Sequence, residues 1–399
     1  MYRASRKMVF SGERYYNIYR IMLTAIGLWP YQTSIGMHIF CFGTYCFTLL
    51  FQFTTFLTAA CNLEFIFKEF SYILVTMLYI VSYNSYYFNF KEVKYMFEQI
   101  ELDWNAIEDN NEIKILEKYA FESRLLALFL GFLIALSVFL IIIIELIPII
   151  FDAIVPMNES RPRKIKLGFE FFIDDQRYFY IYFIFEITVV LTGMFTILAT
   201  GSLSLAFFRH CCATCKIASN LIESTVTNHT LQVPACRKVH VMYKKINRAV
   251  RIHRKSIQFS TFIMNSMNKW YFAIVLISVI SLSCNLFRLL YALTTLNEIS
   301  EIIMSIGMVT ANFMLIFVPN VIGQTLIDHC AEMFNAAYST MWYLAPLSIQ
   351  KLLLFVMQNS LKTHTLTIAG IYVSSLEGFS TLITTAISYL TVMYSVTMK

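Results

Sequence analysis

Ser374, Gly378, Thr381, Thr385, Ser388, Val392 and Ser395 follow one another at steps of four and three, the spacing that lines side chains up on one helical face. Six of the seven are small or hydroxylated, and Glu377, Thr384 and Thr391 flank them. The opposite side carries Phe379, Leu382, Ile383, Leu390 and Met393. Within a membrane, a hydroxyl-lined face has two uses. It presses closely on another helix, with its hydroxyls bonded back to the backbone or across to a neighbour, or it lines water and offers a hydrated cation substitute hydrogen-bonding groups. Val392 presents only methyl groups, and a ring of such side chains closes a narrow pore by expelling water. Glu377, nearer the start of the stripe, attracts cations in the second use. The residues leave both uses open.

Other side chains with chemical potential lie in apolar surroundings. Tyr72, Thr76 and Tyr79 share a helical face, which suits an apolar cavity with a few polar handles. Glu145, Glu186 and Arg288 interrupt apolar runs, where an ionisable group needs a partner or water. All three fall in the outer halves of their spans, so Arg288 is expected to pair with one of the two glutamates; the rival use is a carboxylate facing a ligand. Cys211, Cys212 and Cys215 after His210 have the residue types of a zinc site, but no second pair follows at ligand spacing. No metal or cofactor is therefore expected. Phosphate-binding glycine loops, nucleophile elbows and His-Glu-x-x-His are absent, so the sequence does not read as an enzyme.

The elements that hold these residues are set by composition. Of 399 residues, 58% are apolar and only 14% charged, and several stretches exceed the ~18 residues that cross a bilayer core. Seven spans are predicted, at about 35–59, 66–89, 124–150, 178–207, 270–294, 301–325 and 366–396. Alternate connections carry 23 Lys and Arg on the N-terminal side of the membrane against seven on the other. The positive-inside rule places the N-terminus in the cytosol and the C-terminus outside. The nine cysteines form no paired framework, which argues against a disulfide scaffold. The net charge of +6 reflects loop placement rather than nucleic-acid binding.

The predicted organisation is an all-α membrane protein with seven transmembrane helices and a cytosolic helical anchor region. Residues 1–34 form a cytosolic segment with an interfacial helix, 35–208 the first four spans, and 209–269 a cytosolic helical extension. Residues 270–340 hold spans five and six with an inner extension, 341–362 a cytosolic anchor helix, and 363–399 the last span. Between Arg237 and Lys255 a basic amphipathic helix is predicted to turn its charges to solvent. The second connection, Lys91 to Glu122, reads as a solvated connector with a helical run from Asn111. Asn158-Glu159-Ser160 lies in an outer loop and is a candidate glycosylation site at Asn158, whereas Asn228-His229-Thr230 lies inside.

A resemblance adds to this. Ala337-Tyr338, Trp342, Gln350-Lys351, Met357-Gln358, Leu366-Thr367, Ala369-Gly370, Ser375-Leu376-Glu377-Gly378-Phe379 and Ser388-Tyr389 resemble the C-terminal signature of insect odorant receptors. Tyr15-Tyr16, the run from Ala25 to Pro30, and His210-Cys211 agree with it. Related gustatory receptors end in Thr-Tyr, five apolar residues and Gln-Phe; here Ser388-Tyr389 is followed by Ser395-Val396, which disfavours that branch.

The resemblance implies a ligand-tuned subunit of an odorant-gated, non-selective cation channel, in the plasma membrane of olfactory sensory neurons. It implies assembly as a heterotetramer with the shared co-receptor, and volatile small molecules as ligands within the membrane domain. Membrane lipid is the other partner, and no nucleic acid is expected. Each last helix would line the pore, with Val392, Thr391, Ser388, Thr385, Thr381, Ser395 and Glu377 as candidates and the constriction at Val392. A ligand pocket is implied in the outer halves of spans two, three, four and six. That adds Ser137, Ile141, Phe183, Ile187, Ser305 and Met308 to Tyr72, Thr76 and Tyr79. Trp342, Gln350, Lys351 and Leu354 are candidates for the subunit interface.

The alternatives are a gustatory-receptor-like channel, a G-protein-coupled receptor of opposite orientation, and a secondary transporter. The second lacks its acidic-Arg-Tyr triplet at span three and Asn-Pro-x-x-Tyr in span seven. A transporter predicts internal repeats and paired broken helices, and neither is visible.

Overall fold

The computed structural model describes residues 12–32, 34–58, 62–154, 168, 171–172, 177–296, 299–362 and 364–397. The candidate Asn158 lies outside them. The elements are α1 (Glu13–Ala25), α2 (Ile35–Thr58), α3 (Leu63–Phe88), α4 (Phe90–Asn105), α5 (Asn110–Ile154), α6 (Phe179–Glu223), α7 (Asn228–Gln232), α8 (Ala235–Tyr291), α9 (Ile299–Ser339), α10 (Leu347–Ser360), the strands β1 (Thr367–Ile368) and β2 (Tyr372–Val373), and α11 (Leu376–Thr397). Seven of these helices are long and apolar enough to cross a membrane, one for each predicted span.

Helix length separates membrane from base. At 1.5 Å per residue, the 45 residues of α5 or α6 run ~68 Å and the 57 of α8 ~86 Å, against a bilayer core of ~30 Å. The surplus collects at one end, the base, where the polar ends of these helices meet α4, α7, α10 and the last turns of α9. Ion pairs fix it: Arg248 to Glu112 at 2.5 Å, Arg14 to Glu117 at 2.9 Å, Lys216 to Glu332 at 2.8 Å. Asp103 takes both His210, at 3.1 Å, and Lys255. Burial alone would raise the Asp103 pKa, but hydrogen bonds from His210 and Lys255 hold it below the ordinary value.

In α1, Tyr15, Tyr16, Tyr19, Met22 and Leu23 face the bundle, and Trp29 beyond it is buried in the same core. The chain turns at Gly27, with φ at +73°; a Cβ there would stand 2.6 Å from that of Met37. On the predicted basic helix, Met242, Ile246 and Ala249 are buried while Arg237, Lys244 and Arg251 are exposed. Val239, placed on the same side as Met242, is exposed.

Three expectations are corrected. The second connection is not merely solvated: Val93, Met96, Phe97, Ile100 and Trp104 recur at helical spacing and bury α4 against the core. The last span does not begin at 366. Residues 367–373 form a two-stranded hairpin instead, turned at Ala369 and Gly370 with φ of +53° and +70°, and α11 starts at Leu376. Ser374 therefore precedes the helix rather than opening its stripe. Finally, Arg288 pairs with Glu301 at 2.7 Å, not with Glu145 or Glu186, because α8 and α9 adjoin through a short junction that brings residues 13 apart together.

Candidate functional site

α11 packs on α8 and α9 with the face opposite its hydroxyls. Ala386 is fully buried against Val279, Leu282 and Ile316, with Phe379, Leu382 and Ile383 around it. The Phe379 ring meets those of Phe313 and Phe317 at 5.4 and 5.3 Å. The stripe points away from the chain: Glu377, Thr381, Ser388, Thr391 and Ser395 are exposed, Thr385 partly so, and Val392 is 58% exposed. Among the described residues, no other helix packs closely on the stripe. Thr381, Thr385 and Ser388 donate to carbonyls four residues back, and Thr391 and Ser395 to carbonyls three back. That leaves oxygen lone pairs turned outward along an otherwise apolar helix.

The lead-in to α11 is seated on α9. The Asn320 amide oxygen accepts from the Tyr372 hydroxyl and, at 3.0 Å, from the Ser375 N–H. Ser374 Oγ donates to the Pro319 carbonyl at 3.1 Å. The Ser374 main chain lies so close to Gly323 that a Cβ there would stand 2.2 Å from its oxygen. Sequence periodicity misses this seat because it joins a hairpin to a helix some 50 residues earlier.

A second constellation lies where α3, α8 and α9 meet. Glu301 takes Arg288 on one oxygen and Lys68, at 3.0 Å, on the other. The Arg288 guanidinium lies over the Tyr72 ring, 4.6 Å from its centre, and 3.8 Å from Met308 Sδ. Tyr72 and Met308 are thus brought together, with the fully buried Ser305 one turn from each of Glu301 and Met308 on the α9 face. Thr76 is buried and bonds back to the Tyr72 carbonyl. Below Arg288, Asn285 and Asn312 each tie the amide NH2 to their own helix. Their amide oxygens, with Ser305 Oγ and, about 15 Å along α8 from Arg288, Ser278 Oγ, are buried without a hydrogen-bond partner among the described residues. Such orphans cost about 1–3 kcal/mol each, so the region is poised to accept donors. In the sequence, Ser278, Ser281 and Asn285 already stand at steps of three and four within an apolar span, as do Ser305, Met308 and Asn312.

The remaining candidates disperse. Tyr79 lies flat on Gly193 of α6, where a Cβ would stand 2.3 Å from its ring, with Tyr45 5.8 Å away on α2. Ser137 turns its hydroxyl to the Ile134 carbonyl, and Ile141 is half-buried on the same helix. Phe183 stacks with Phe179 on α6, with Ile187 half-buried one turn on. At the base, Trp342 packs against the core that holds Ile349 and Leu353. Gln350 donates to the carbonyls of Tyr343 and Ala345, whereas Lys351 and Leu354 are exposed. Leu347, Leu354, Phe355 and Leu361 form an uncovered apolar face on and just beyond α10.

A family model described as 7tm Odorant receptor matches residues 62–387. The chain belongs to the odorant receptor family. This receptor is similar in fold to an insect olfactory receptor from Machilis hrabei, solved in complex with eugenol, at a TM-score of 0.76 and 12% identity over 96% of this chain and 98% of that one. A second structure of the Machilis hrabei receptor matches at a TM-score of 0.75 and 13% identity, over the same shares. No curated protein matches it in sequence. The receptor is thus a multi-pass membrane protein and not an enzyme.

Proposed function

We propose that this receptor is the ligand-binding subunit of an odorant-gated, non-selective cation channel, with α11 of each subunit lining a central pore. The observation that carries the reading is the outward stripe of α11, which the chain leaves uncovered while packing the helix by its apolar back. Four such stripes around one axis give a hydroxyl-lined path, with Val392 as the narrow dewetting ring and Glu377 drawing cations at the other end. Opening requires α11 to turn or splay, moving Val392 aside and bringing Thr391 toward the axis. The base faces the cytosol, with the C-terminus outside. The apolar face of α10 there meets the co-receptor subunit.

The ligand sits against Tyr72, Ser305 and Met308. The unpartnered oxygens of Asn285 and Asn312 favour a small, largely apolar molecule carrying one hydroxyl or N–H donor. The complex of the similar receptor with eugenol supports a ligand of that size. The test is co-expression with the co-receptor in cells that lack olfactory receptors, with currents recorded against a panel of volatiles. Evoked cation current that follows the donor-bearing members supports the reading; ligand binding without current, or current only through a G-protein cascade, overturns it. Glycosylation at Asn158 checks the orientation independently.

A further inference from the structure

The cysteines after His210 lack a second ligand pair in sequence, but the fold supplies one. Cys215 of α6 lies 3.4 Å, sulfur to sulfur, from Cys330 of α9, and both are buried. His253 of α8 joins them: a ring nitrogen and the two sulfurs all lie within 4.8 Å of one another. The three residues come from three helices at the centre of the base, far in sequence from each other. His253 Nε2 is buried without a hydrogen-bond partner among the described residues.

We infer that Cys215, His253 and Cys330 bind one soft divalent metal ion, zinc by preference, which staples α6, α8 and α9 at the base. Two thiolates on a tetrahedral zinc stand about 3.8 Å apart, and a thiolate and an imidazole nitrogen about 3.6 Å, for bonds of ~2.3 and ~2.0 Å. The sulfurs are within a few tenths of an ångström of that spacing, and the imidazole needs to close by about 1 Å at most. A disulfide accounts for the two sulfurs but leaves Nε2 orphaned, and needs the sulfurs at ~2.0 Å. A two-sulfur, one-nitrogen donor set selects zinc over magnesium or calcium, which take oxygen ligands. Binding releases the two thiol protons to solvent and changes no oxidation state. The fourth position falls to water or to Cys211, one turn before Cys215 and fully buried. Ser256 supports the site, its Oγ 3.2 Å from Cys215 Sγ and donating to the Cys211 carbonyl at 2.9 Å. The inference concerns the base alone and stands apart from the ligand and pore readings.

The experiment is elemental analysis of full-length receptor purified in detergent without chelator. About one zinc per chain is expected, falling at least tenfold in Cys215→Ser, His253→Ala and Cys330→Ser but retained in Cys212→Ser. Because a ligand variant can fail to fold, the unmodified chain is also loaded with Co²⁺. Intense sulfur-to-cobalt absorption, with the d–d bands of a tetrahedral ion, is expected. Metal-free receptor whose Cys215 and Cys330 are both alkylated on denaturation, a Cys215–Cys330 disulfide in mass spectra, or zinc that persists in the Cys215→Ser, Cys330→Ser double variant would each overturn the site.

Discussion

Replacing Gly323 with Ala puts a methyl group 2.2 Å from the main-chain oxygen of Ser374 and 2.8 Å from its carbonyl carbon. Ordinary contact begins near 3.4 Å, so the hairpin that leads into α11 must retreat by about 1 Å. The obstacle is backbone, and no rotamer change relieves it. Overpacking of this kind costs about 1–3 kcal/mol, and retreat also strains the bonds from Ser374 to Pro319 and from Ser375 to Asn320, each worth about 1 kcal/mol. Alanine returns at most ~1 kcal/mol of helix propensity. Gly307 is the internal control: it lies on the same helix, and a Cβ there meets nothing within 4 Å. Gly307→Ala keeps the propensity gain without the clash. The two variants should differ by about 2–3 kcal/mol, or roughly 3 °C in melting temperature when the per-residue entropy of unfolding is scaled to this chain length. The assay is thermal melting of each detergent-purified variant, with ligand-evoked current recorded at matched surface expression. Gly323→Ala should melt lower and lose evoked current, and Gly307→Ala should match or exceed the parent. Equal melting and equal currents for the two would refute the claim that α11 is seated on α9 through Gly323.

Leu354→Asp places a carboxylate on the uncovered apolar face of α10 and, if buried at a subunit contact, costs several kcal/mol; co-purification with the co-receptor should be lost while the chain itself remains folded. Tyr72→Phe removes a buried hydroxyl beneath Arg288 and should shift the ligand concentration dependence without altering permeability ratios. Val392→Ser should raise basal current and Val392→Leu should make opening harder at equal expression; two variants that conduct like the parent would mark Val392 as a lipid- or subunit-packing residue. Asp103, held below its ordinary value of 3.8 by His210 and Lys255, contributes stability that is fully present above that value and lost as pH falls through the lower folded one. Asp103→Asn should therefore lower the melting temperature at pH 7, with the gap to the parent closing below about pH 3.8.

The spans, the stripe of α11 and its apolar back were legible because each depends on local periodicity, and bilayer width fixes the length to look for. What was not legible depends on rotation of one helix against another. Arg288 was matched to Glu145 or Glu186 by depth alone, yet the carboxylate it meets lies 13 residues on, across the α8–α9 junction. Cys215 showed no second pair because Cys330 comes 115 residues later on another helix. The hairpin at 367–373 was absorbed into the last span because its residues are apolar enough to pass as membrane; the positive φ at Ala369 and Gly370 is the local feature that breaks it. In α4 the helical spacing of Val93, Met96, Phe97, Ile100 and Trp104 is present in the sequence, but the charges between them also fit a solvated connector.

One helix, α9, carries both the proposed ligand site and the seat of the proposed pore helix. Along α9, Glu301, Ser305, Met308, Asn312, Ile316, Asn320 and Gly323 succeed one another at steps of three and four, which places them on one face. The first four border the Arg288–Tyr72 constellation, Ile316 packs against Ala386 of α11, and the last two seat its lead-in. In the proposed channel, a ligand lodged against Ser305 and Asn312 would press on the face that holds α11. It biases opening only by the difference between its affinities for the two positions of that face, and a difference of 1.4 kcal/mol changes the open-to-closed ratio about tenfold. A donor-bearing ligand gains such a difference where its hydrogen bond to the unpartnered amide oxygen of Asn312 forms in one position of that face and not in the other. Apolar contact with Met308, whose flexible side chain follows the ligand, discriminates less. Potency should therefore track ligand size, while efficacy should track the hydrogen bond.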